Sequence, residues 1–242
     1  LVASSFGQSL KEGDEVILSQ MEHHSNIVPW HFLREQKGVV IKWIPVDENG
    51  ALDMEAYRGL FTERTKFVSI VHMSNVLGTA NPAEELTRVA HQHGAAILFD
   101  GTQAAVHMPV DVSEIGCDFY VFTGHKLYGP NGAGVLYAAG DWLDRLPPYQ
   151  GGGEMIAEVS EDGVVYADVP HKFEAGTPAI ADVIGLVAAI DWVNALDRTA
   201  ALEHERSLLD RAEAGLSEIE GIRLFGRTQN KGAIASFLID GA

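Results

Sequence analysis

Short apolar runs alternate with polar loops and amphipathic stretches along much of the chain. The apolar runs have the length and composition of buried strands, and they lie at 15–18, 39–44, 66–73, 95–99, 118–122 and 133–138. Helices are predicted between several of them, at about 29–36, 53–61 and 81–94. Such alternation is typical of a largely parallel sheet, so the pattern predicts an α/β fold.

The helix predicted after residue 80 has the clearest boundary signals. Asn81 is interpreted as its N-cap, Pro82 as its first helical residue, and Glu84 as the partner in a capping box. Gly94 then supplies the stop signal.

The pattern changes after residue 142. Residues 143–178 are rich in proline, glycine and polar residues and are interpreted as functional loops. Asp182 starts an apolar helix that continues to about residue 195, a charged helix covers about 200–219, and strand-like runs follow. We therefore predict two domains. A large domain without its N-terminal part covers residues 1–182, and connecting helices with the beginning of a small α+β domain cover residues 183–242.

Composition excludes some classes of protein. The 242 residues are 46% hydrophobic, which is enough for a sizeable core. A net charge of −17 argues against broad contact with nucleic acid or an anionic membrane. No apolar run approaches the ~20 residues of a membrane span. The single cysteine, Cys117, allows no internal disulfide and fits a reducing compartment, so we expect a cytoplasmic protein.

Several side chains capable of chemistry follow the predicted strands. In sheets of this kind ligands bind beyond the carboxyl ends of the strands. The polar residues found there are His23, Asn75, Asp100, Gln103, Thr123, His125 and Lys126. A lysine can form an imine with an aldehyde, and a carboxylate can keep a pyridine nitrogen protonated, which together match the needs of pyridoxal phosphate. No metal site is predicted.

Each of these residues also has a simpler interpretation. Lys126 could be a solvated surface charge, and Asp100 could cap a helix that starts near Gly101. His23 and His24 could form a polar loop pair or a metal site, although no carboxylate lies at metal-ligand spacing from them.

Five motifs extend this picture. They are 21–30 (MEHHSNIVPW), 72–79 (HMSNVLGT), 100–103 (DGTQ), 118–130 (DFYVFTGHKLYGP) and 173–178 (FEAGTP). In this order they resemble the Suf-type cysteine desulfurases of the class V aminotransferase family, pyridoxal-phosphate enzymes of fold type I. The resemblance covers nearly the whole chain.

The resemblance implies a role for each site residue. Lys126 would form the imine with the cofactor, Asp100 would pair with the pyridinium nitrogen, and Gln103 would hydrogen-bond the phenolic oxygen. His23 would stack on the ring and transfer protons, and Asn75 would lie on the substrate side. Thr123, where the family more often has serine, and His125 would hold the phosphate. Thr177 would do so from the neighbouring subunit of a homodimer, although it could also merely start a helix after its Gly-Thr-Pro turn.

The implied activity is the conversion of L-cysteine to L-alanine, with sulfur passed as a persulfide to a Suf-type acceptor for iron–sulfur cluster assembly. The family's persulfide cysteine and its substrate-carboxylate arginines would lie beyond Ala242, since Cys117 is expected to be buried beside the sheet. Alternatives are a selenocysteine lyase acting on L-selenocysteine, another class V enzyme, or a catalytically incomplete fragment that binds cofactor or a partner.

Overall fold

A six-stranded sheet forms the centre of the chain in the computed structural model, which describes residues 1–241. Its strands are β1 (Glu15–Ser19), β2 (Val40–Ile44), β3 (Thr65–Val71), β4 (Ala96–Asp100), β5 (Phe119–Thr123) and β6 (Gly134–Ala138). Their order is β2-β1-β3-β4-β5-β6. All neighbours are parallel except β5 and β6, which are antiparallel. The predicted α/β fold with a mainly parallel sheet is confirmed.

Seven helices accompany this sheet in sequence. They are α1 (Val2–Gly7), α2 (Val28–Lys37), α3 (Met54–Gly59), α4 (Ala83–Gln92), α5 (Ala104–His107), α6 (Val112–Ile115) and α7 (Trp142–Arg145). The predicted ends of α2 and α3 are close to those observed. Gly38 has the left-handed conformation just after α2, and the Asp53 side chain caps α3.

Both faces of the sheet are buried. Side chains alternate along a strand, so Val16 and Leu18 of β1 point to one face and Ile17 to the other. The first face packs against α1, α2 and α7, including Trp30. The opposite face packs against α3, α4 and α6, including Tyr57. Because the sheet is covered on both sides, the carboxyl edge of the strands is where polar side chains can meet a ligand.

The predicted capping box at α4 is wrong. Pro82 is the N-cap, no side chain caps the helix, and Asn81 lies one residue earlier. The Asn81 amide instead donates to the Val71 carbonyl at 2.7 Å. This carbonyl is where β3 leaves the sheet, and a buried peptide group without a partner costs more free energy than a missing helix cap.

The remaining elements lie outside the central sheet. They are β7 (Ile156–Ser160), β8 (Gly163–Tyr166), α8 (Ile180–Ala195), α9 (Arg198–Ser217), β9 (Ile222–Phe225) and β10 (Ser236–Ile239). The strands pair antiparallel as β7 with β8 and β9 with β10. The two helices confirm the sequence prediction, whereas the β7–β8 hairpin lies in a segment interpreted as loop.

Helix α9 is fastened to α5 by polar contacts. The Arg198 guanidinium donates to the carbonyls of Ala105, Val106 and Met108, at the C-terminal end of α5, over 3.0–3.3 Å. His107 pairs with Glu205 at 3.2 Å. The domain boundary near residue 182 stays a prediction. None of the helices within residues 1–241 has the length and apolar character needed to cross a membrane.

Candidate active site

The carboxyl ends of four neighbouring strands surround one cavity of about 300 Å³. Its lining includes all seven side chains that the sequence placed after strands, namely His23, Asn75, Asp100, Gln103, Thr123, His125 and Lys126. Ser25, Thr102, Val71 and Met73 complete it. Residues that are distant in sequence therefore meet because parallel strands end at the same edge.

Asp100 closes the inner end of the cavity. It is the last residue of β4, is 7% exposed, and accepts one hydrogen bond from the Thr102 amide at 3.0 Å. Within residues 1–241 its carboxylate makes no ion pair. A buried carboxylate without a cation is costly, so this group fits a cationic ligand atom.

The residue after Asp100 has to be glycine. A Cβ at Gly101 would lie 2.0 Å from Cε1 of the Tyr120 ring. The Tyr120 hydroxyl is 2.8 Å from Nδ1 of His72, and the His72 amide donates to the Asp100 carbonyl. Burial lowers the pKa of His72 to about 4 and raises that of Tyr120. Both groups are therefore neutral at pH 7, and neither compensates the charge of Asp100.

Lys126 lies in a tight turn that follows β5. A 3₁₀ turn spans Gly124–Lys126, and the lysine is half-buried. Its ammonium has no hydrogen-bond or ion-pair partner in the part of the chain that the structure describes. Thr123 Oγ1 and His125 Nδ1 are 2.7 Å apart on the same turn. The turn thus presents an amine and two groups suited to hold an anion.

The lysine turn rests directly on α8. A Cβ at Gly124 would lie 3.2 Å from Cδ1 of Leu186, a buried residue of that helix. A Cβ at Gly185, also in α8, would lie 3.1 Å from Pro130 Cγ. Each glycine therefore leaves room for a side chain of the other element, Leu186 against the turn and Pro130 against the helix.

His23 lies in the loop after β1 and is exposed towards the cavity. It is the N-cap of the 3₁₀ turn His24–Asn26, and its Nδ1 accepts a hydrogen bond from the Ser25 amide at 3.2 Å. Since Nδ1 is the acceptor, the neutral ring carries its proton on Nε2.

Glu22 is a residue of this region that the sequence did not reveal. Its side chain is 7% exposed, and burial raises its pKa to about 7. The nearby charge of Asp100 adds to this rise. The position directly before His23, between apolar Met21 and a polar loop, was the available signal, although an acidic residue there ordinarily suggests an exposed loop.

Three other sequence predictions concern residues outside the cavity. Thr177 is exposed and does not line it, and its predicted role in a neighbouring subunit is not tested by one chain. None of the residues of the predicted functional loops at 143–178 lines it. Cys117 is 1% exposed, and burial raises its pKa to about 11, which confirms the prediction that this thiol is buried. Within residues 1–241 no cluster of histidine, cysteine or acidic residues is placed to bind a metal.

The profile of the family described as "Aminotransferase class-V" matches residues 1–242. The chain belongs to this family. The family membership predicted from the five motifs is confirmed, and the likeness extends over the whole chain.

Curated relatives of this chain are named cysteine desulfurases. The protein of Dickeya dadantii (strain 3937) is 48% identical over 237 residues, which are 97% of this chain and 58% of the relative. The protein of Synechococcus elongatus (strain ATCC 33912 / PCC 7942 / FACHB-805) is 46% identical over 242 residues, or 100% of this chain and 39% of the relative. The chain thus spans only part of the length of the curated relatives it matches.

Solved structures show the same fold. The cysteine desulfurase CsdA of Escherichia coli superposes with a TM-score of 0.95 at 39% identity, covering 100% of this chain and 60% of that one. The cystine C-S lyase C-DES is 24% identical and superposes with a TM-score of 0.87 over 98% of this chain and 65% of its own. A second structure of C-DES contains glycine covalently linked to its pyridoxal-phosphate cofactor.

Proposed function

We propose that the protein containing this chain is a pyridoxal-phosphate-dependent cysteine desulfurase, which converts L-cysteine to L-alanine and passes sulfur on as a persulfide. The observation that carries this proposal is the cavity in which the Lys126 amine and the buried Asp100 carboxylate both lack an ion-pair partner among residues 1–241. The names of relatives at 46–48% identity support this activity within the family.

The side chains around the cavity fit the cofactor. Pyridoxal phosphate supplies an aldehyde that binds amines and a ring that accepts electrons from the substrate carbon. Asp100 holds the ring nitrogen in its protonated form, which satisfies a carboxylate that is otherwise buried without a cation. Gln103 donates to the phenolic oxygen, and the His23 ring stacks on the cofactor ring.

His125 would hold the phosphate directly, and Thr123 would help by fixing the orientation of the His125 ring. When the Thr123 hydroxyl donates to Nδ1 of His125, at 2.7 Å, the ring proton of His125 lies on Nε2. That N–H group then remains free to donate to a phosphate oxygen. A neutral histidine thus binds the anion as a hydrogen-bond donor.

Lys126 and His23 handle protons. The Lys126 amine would hold the cofactor through its aldehyde, and the free amine would act as the general base that takes the α-proton of the substrate. His23 exchanges protons through Nε2, because Nδ1 is occupied by the Ser25 amide. Asn75 faces the substrate side of the cavity.

Cys117 does not accept the sulfur in this proposal. Its thiol is buried, and a pKa of about 11 keeps it protonated at neutral pH, whereas the attacking form of cysteine is the thiolate. The accepting thiol is supplied by another part of the whole protein.

A reconstitution experiment tests the proposal. The whole protein incubated with pyridoxal phosphate is expected to show a visible absorption band, to lose it in Lys126→Ala and to retain it in Lys11→Ala, an exposed lysine at the opposite edge of the sheet. Alanine release is then measured with L-cysteine and with L-selenocysteine. A band unaffected by Lys126→Ala contradicts the cofactor site, and cofactor binding without alanine release contradicts the desulfurase activity.

We further propose that the protein acts as a homodimer. Exposed apolar side chains cover one side of α8 and the β7–β8 hairpin, namely Val159, Val164, Val165, Ile180, Val183, Ile184, Val187 and Trp192. So large an apolar surface is typical of a subunit interface. Thr177 precedes α8 and would contact the partner's phosphate. Sedimentation is expected to give a dimer that dissociates in Ile184→Glu but persists in Leu208→Glu, which alters an exposed apolar residue on α9.

The cellular partners are part of the same proposal. A Suf-type acceptor protein takes the sulfur for iron–sulfur cluster assembly, and the protein works in the cytoplasm. An unpaired buried cysteine and the net charge of −17 support a reducing compartment without nucleic-acid contact. Transfer of radiolabelled sulfur from L-cysteine to purified acceptor proteins measures this step.

A further inference from the structure

Glu22 is the most fully bonded buried carboxyl group near the cavity. Its Oε1 accepts hydrogen bonds from the Ser19 hydroxyl and, at 2.9 Å, from the Val71 amide. Its Oε2 accepts a hydrogen bond from the side-chain amide of Asn26 at 2.7 Å. None of these partners is charged, so the group is not part of an ion pair.

These bonds join two strands at the level where one of them ends. β1 stops at Ser19, while β3 continues to Val71, and their last paired residues are Leu18 and Ser69. The Val71 amide therefore has no strand partner on the β1 side. The Glu22 carboxyl group takes that place, and a carboxyl group that meets a backbone N–H satisfies a buried donor.

The turn that carries His23 is fastened at both ends by this arrangement. Asn26, at the far end of the turn, donates its backbone amide to the His23 carbonyl at 2.8 Å. The Asn26 side-chain oxygen accepts from the Ser69 hydroxyl on β3 at 2.6 Å. His23 thus lies between two residues, Glu22 and Asn26, that are both bonded to β3 and to each other.

Val71 of β3 also connects this hydrogen-bond network to the other side of the cavity. Val71 pairs with Asp100 on β4, and its N–H group faces Glu22. We propose that Glu22 is a positioning residue, which fixes the turn bearing His23 relative to the strand that bears Asp100. The inference deepens the proposed function and rests on it in one respect, namely that His23 and Asp100 both contact the cofactor ring.

A purely structural carboxyl group in this fold looks different. Glu15, at the other end of β1, is nearly as buried, and it binds the Lys42 ammonium at 2.8 Å as well as two threonine hydroxyls. Glu22 has no such cation, and its raised pKa reflects the cost of this burial. The fold thus contains a buried acid without a cation, and we attribute its presence to the hydrogen bonds that it accepts from Ser19, Val71 and Asn26.

The test compares Glu22→Ala, Glu22→Gln and the matched control Glu15→Gln in the whole protein. In Glu22→Gln the new NH₂ group would face the NH₂ group of Asn26. If the Asn26 amide rotates by 180°, its oxygen accepts from the glutamine and its NH₂ group donates to the Ser69 hydroxyl, so the hydrogen bonds are kept. Three quantities are measured. They are the Kd for pyridoxal phosphate, the His23 ring signals in NMR spectra of the cofactor-free protein, assigned by their loss in His23→Gln, and the free energy of unfolding.

We expect Glu22→Ala to raise the Kd about tenfold, as loss of an orienting group commonly does, and to shift the His23 signals. Glu22→Gln is expected to restore both, and Glu15→Gln to leave both unchanged even where stability falls. A loss of stability in Glu22→Ala with unchanged Kd and unchanged His23 signals would show that the role is structural only and overturn the proposal.

Two further outcomes remain informative. If Glu22→Ala does not fold, Asn26→Ala breaks the same network from the other side and is measured with the same criteria. If the native protein binds no pyridoxal phosphate, the proposed function fails, whereas the His23 signals in the cofactor-free protein still decide whether Glu22 positions the turn.

Discussion

The two edges of the central sheet differ in whether an acidic side chain meets a basic one. At the amino edge, Glu15 binds Lys42, and Asp118 accepts hydrogen bonds from the Ile97 amide and Trp142 Nε1 at 2.8 Å each and contacts His91 at 2.9 Å. At the carboxyl edge, Asp100 has no ion-pair partner among residues 1–241. The acids of the amino edge are paired within the fold, whereas Asp100 leaves a buried carboxylate that the proposed cofactor would satisfy.

Cavity size alone would point to the wrong edge. A cavity of about 650 Å³ lies at the amino edge beside Asp118, and the candidate active site has only about 300 Å³. Asp118 already has its partners, so the larger cavity presents no buried carboxylate without a partner among residues 1–241. A buried carboxylate without a partner therefore locates the candidate site better than volume does.

Exchanging the two acids for amides gives the largest expected difference between the edges. Asp100→Asn is expected to reduce alanine release by about a hundredfold or more, because the charge facing the cofactor is lost while stability is kept. Asp118→Asn is expected to retain activity and to lose about 1–3 kcal/mol of stability, because an amide nitrogen then faces backbone or indole donors. Steady-state kinetics and urea unfolding measure both. Equal losses of activity would remove the distinction between the edges.

A substitution in the packed region beneath the carboxyl edge is expected to have the next largest effect. Gly101→Ala places a Cβ on the Tyr120 ring, so we expect a loss of about 3 kcal/mol in the free energy of unfolding. Gly59→Ala, at a glycine with no atom near the added Cβ, should change stability by no more than about 1 kcal/mol. Comparable unfolding midpoints for the two variants would contradict the observed contact.

The pH dependence of stability distinguishes the carboxyl edge in another way. Glu22 binds its proton up to about pH 7 in the folded chain and only to its ordinary pKa of 4.5 when unfolded. At about 1.4 kcal/mol per pH unit, its contribution of about 3 kcal/mol is present below pH 4.5 and is lost as the pH rises to about 7. His72 acts in the opposite direction, since its stability contribution is lost as the pH falls from 6.5 to about 4.

These two effects partly cancel between pH 4.5 and 6.5 in the native chain. Glu22→Gln removes one of them, so urea unfolding of the cofactor-free variant should show stability falling more steeply on acidification than in the native protein. An unchanged pH profile would mean that Glu22 ionises normally in the folded state.

At the amino edge the expected effect is smaller and confined to stability. Lys42→Met removes the cation bound to Glu15, whose side chain keeps two threonine donors. Because Lys42 is partly exposed and Glu15 keeps its two hydroxyl donors, we expect a loss of only about 1–2 kcal/mol and full cofactor binding. A lowered cofactor affinity in this variant would show that the amino edge also affects the site.

The sequence predicted the sheet and the cavity well because both depend on local signals. Strands are marked by apolar runs, and residues such as Asp100 and Lys126 follow directly after them. Glu22 could not be found in this way, because its importance comes from the Val71 amide, which is distant in sequence. The Asn81 cap was predicted wrongly for the same reason, since a tertiary hydrogen bond outweighed a helix-terminal preference.

The β7–β8 hairpin was not predicted from the sequence, for a different reason. Its two turn residues are Glu161 and Asp162, since Gly163 is the first residue of β8 and pairs with Ser160. The strands are almost wholly exposed, so no buried alternation marked them as strands.

The glycine contact between α8 and the lysine turn has a mechanical consequence. Gly124 lies against the Leu186 side chain and Gly185 against Pro130, and Tyr128 packs edge-on against Trp192 of α8 with ring centroids 5.0 Å apart. The turn that carries the Lys126 amine therefore shares its packing with α8. A side chain larger than glycine at either position would push the turn and the helix apart and move the amine.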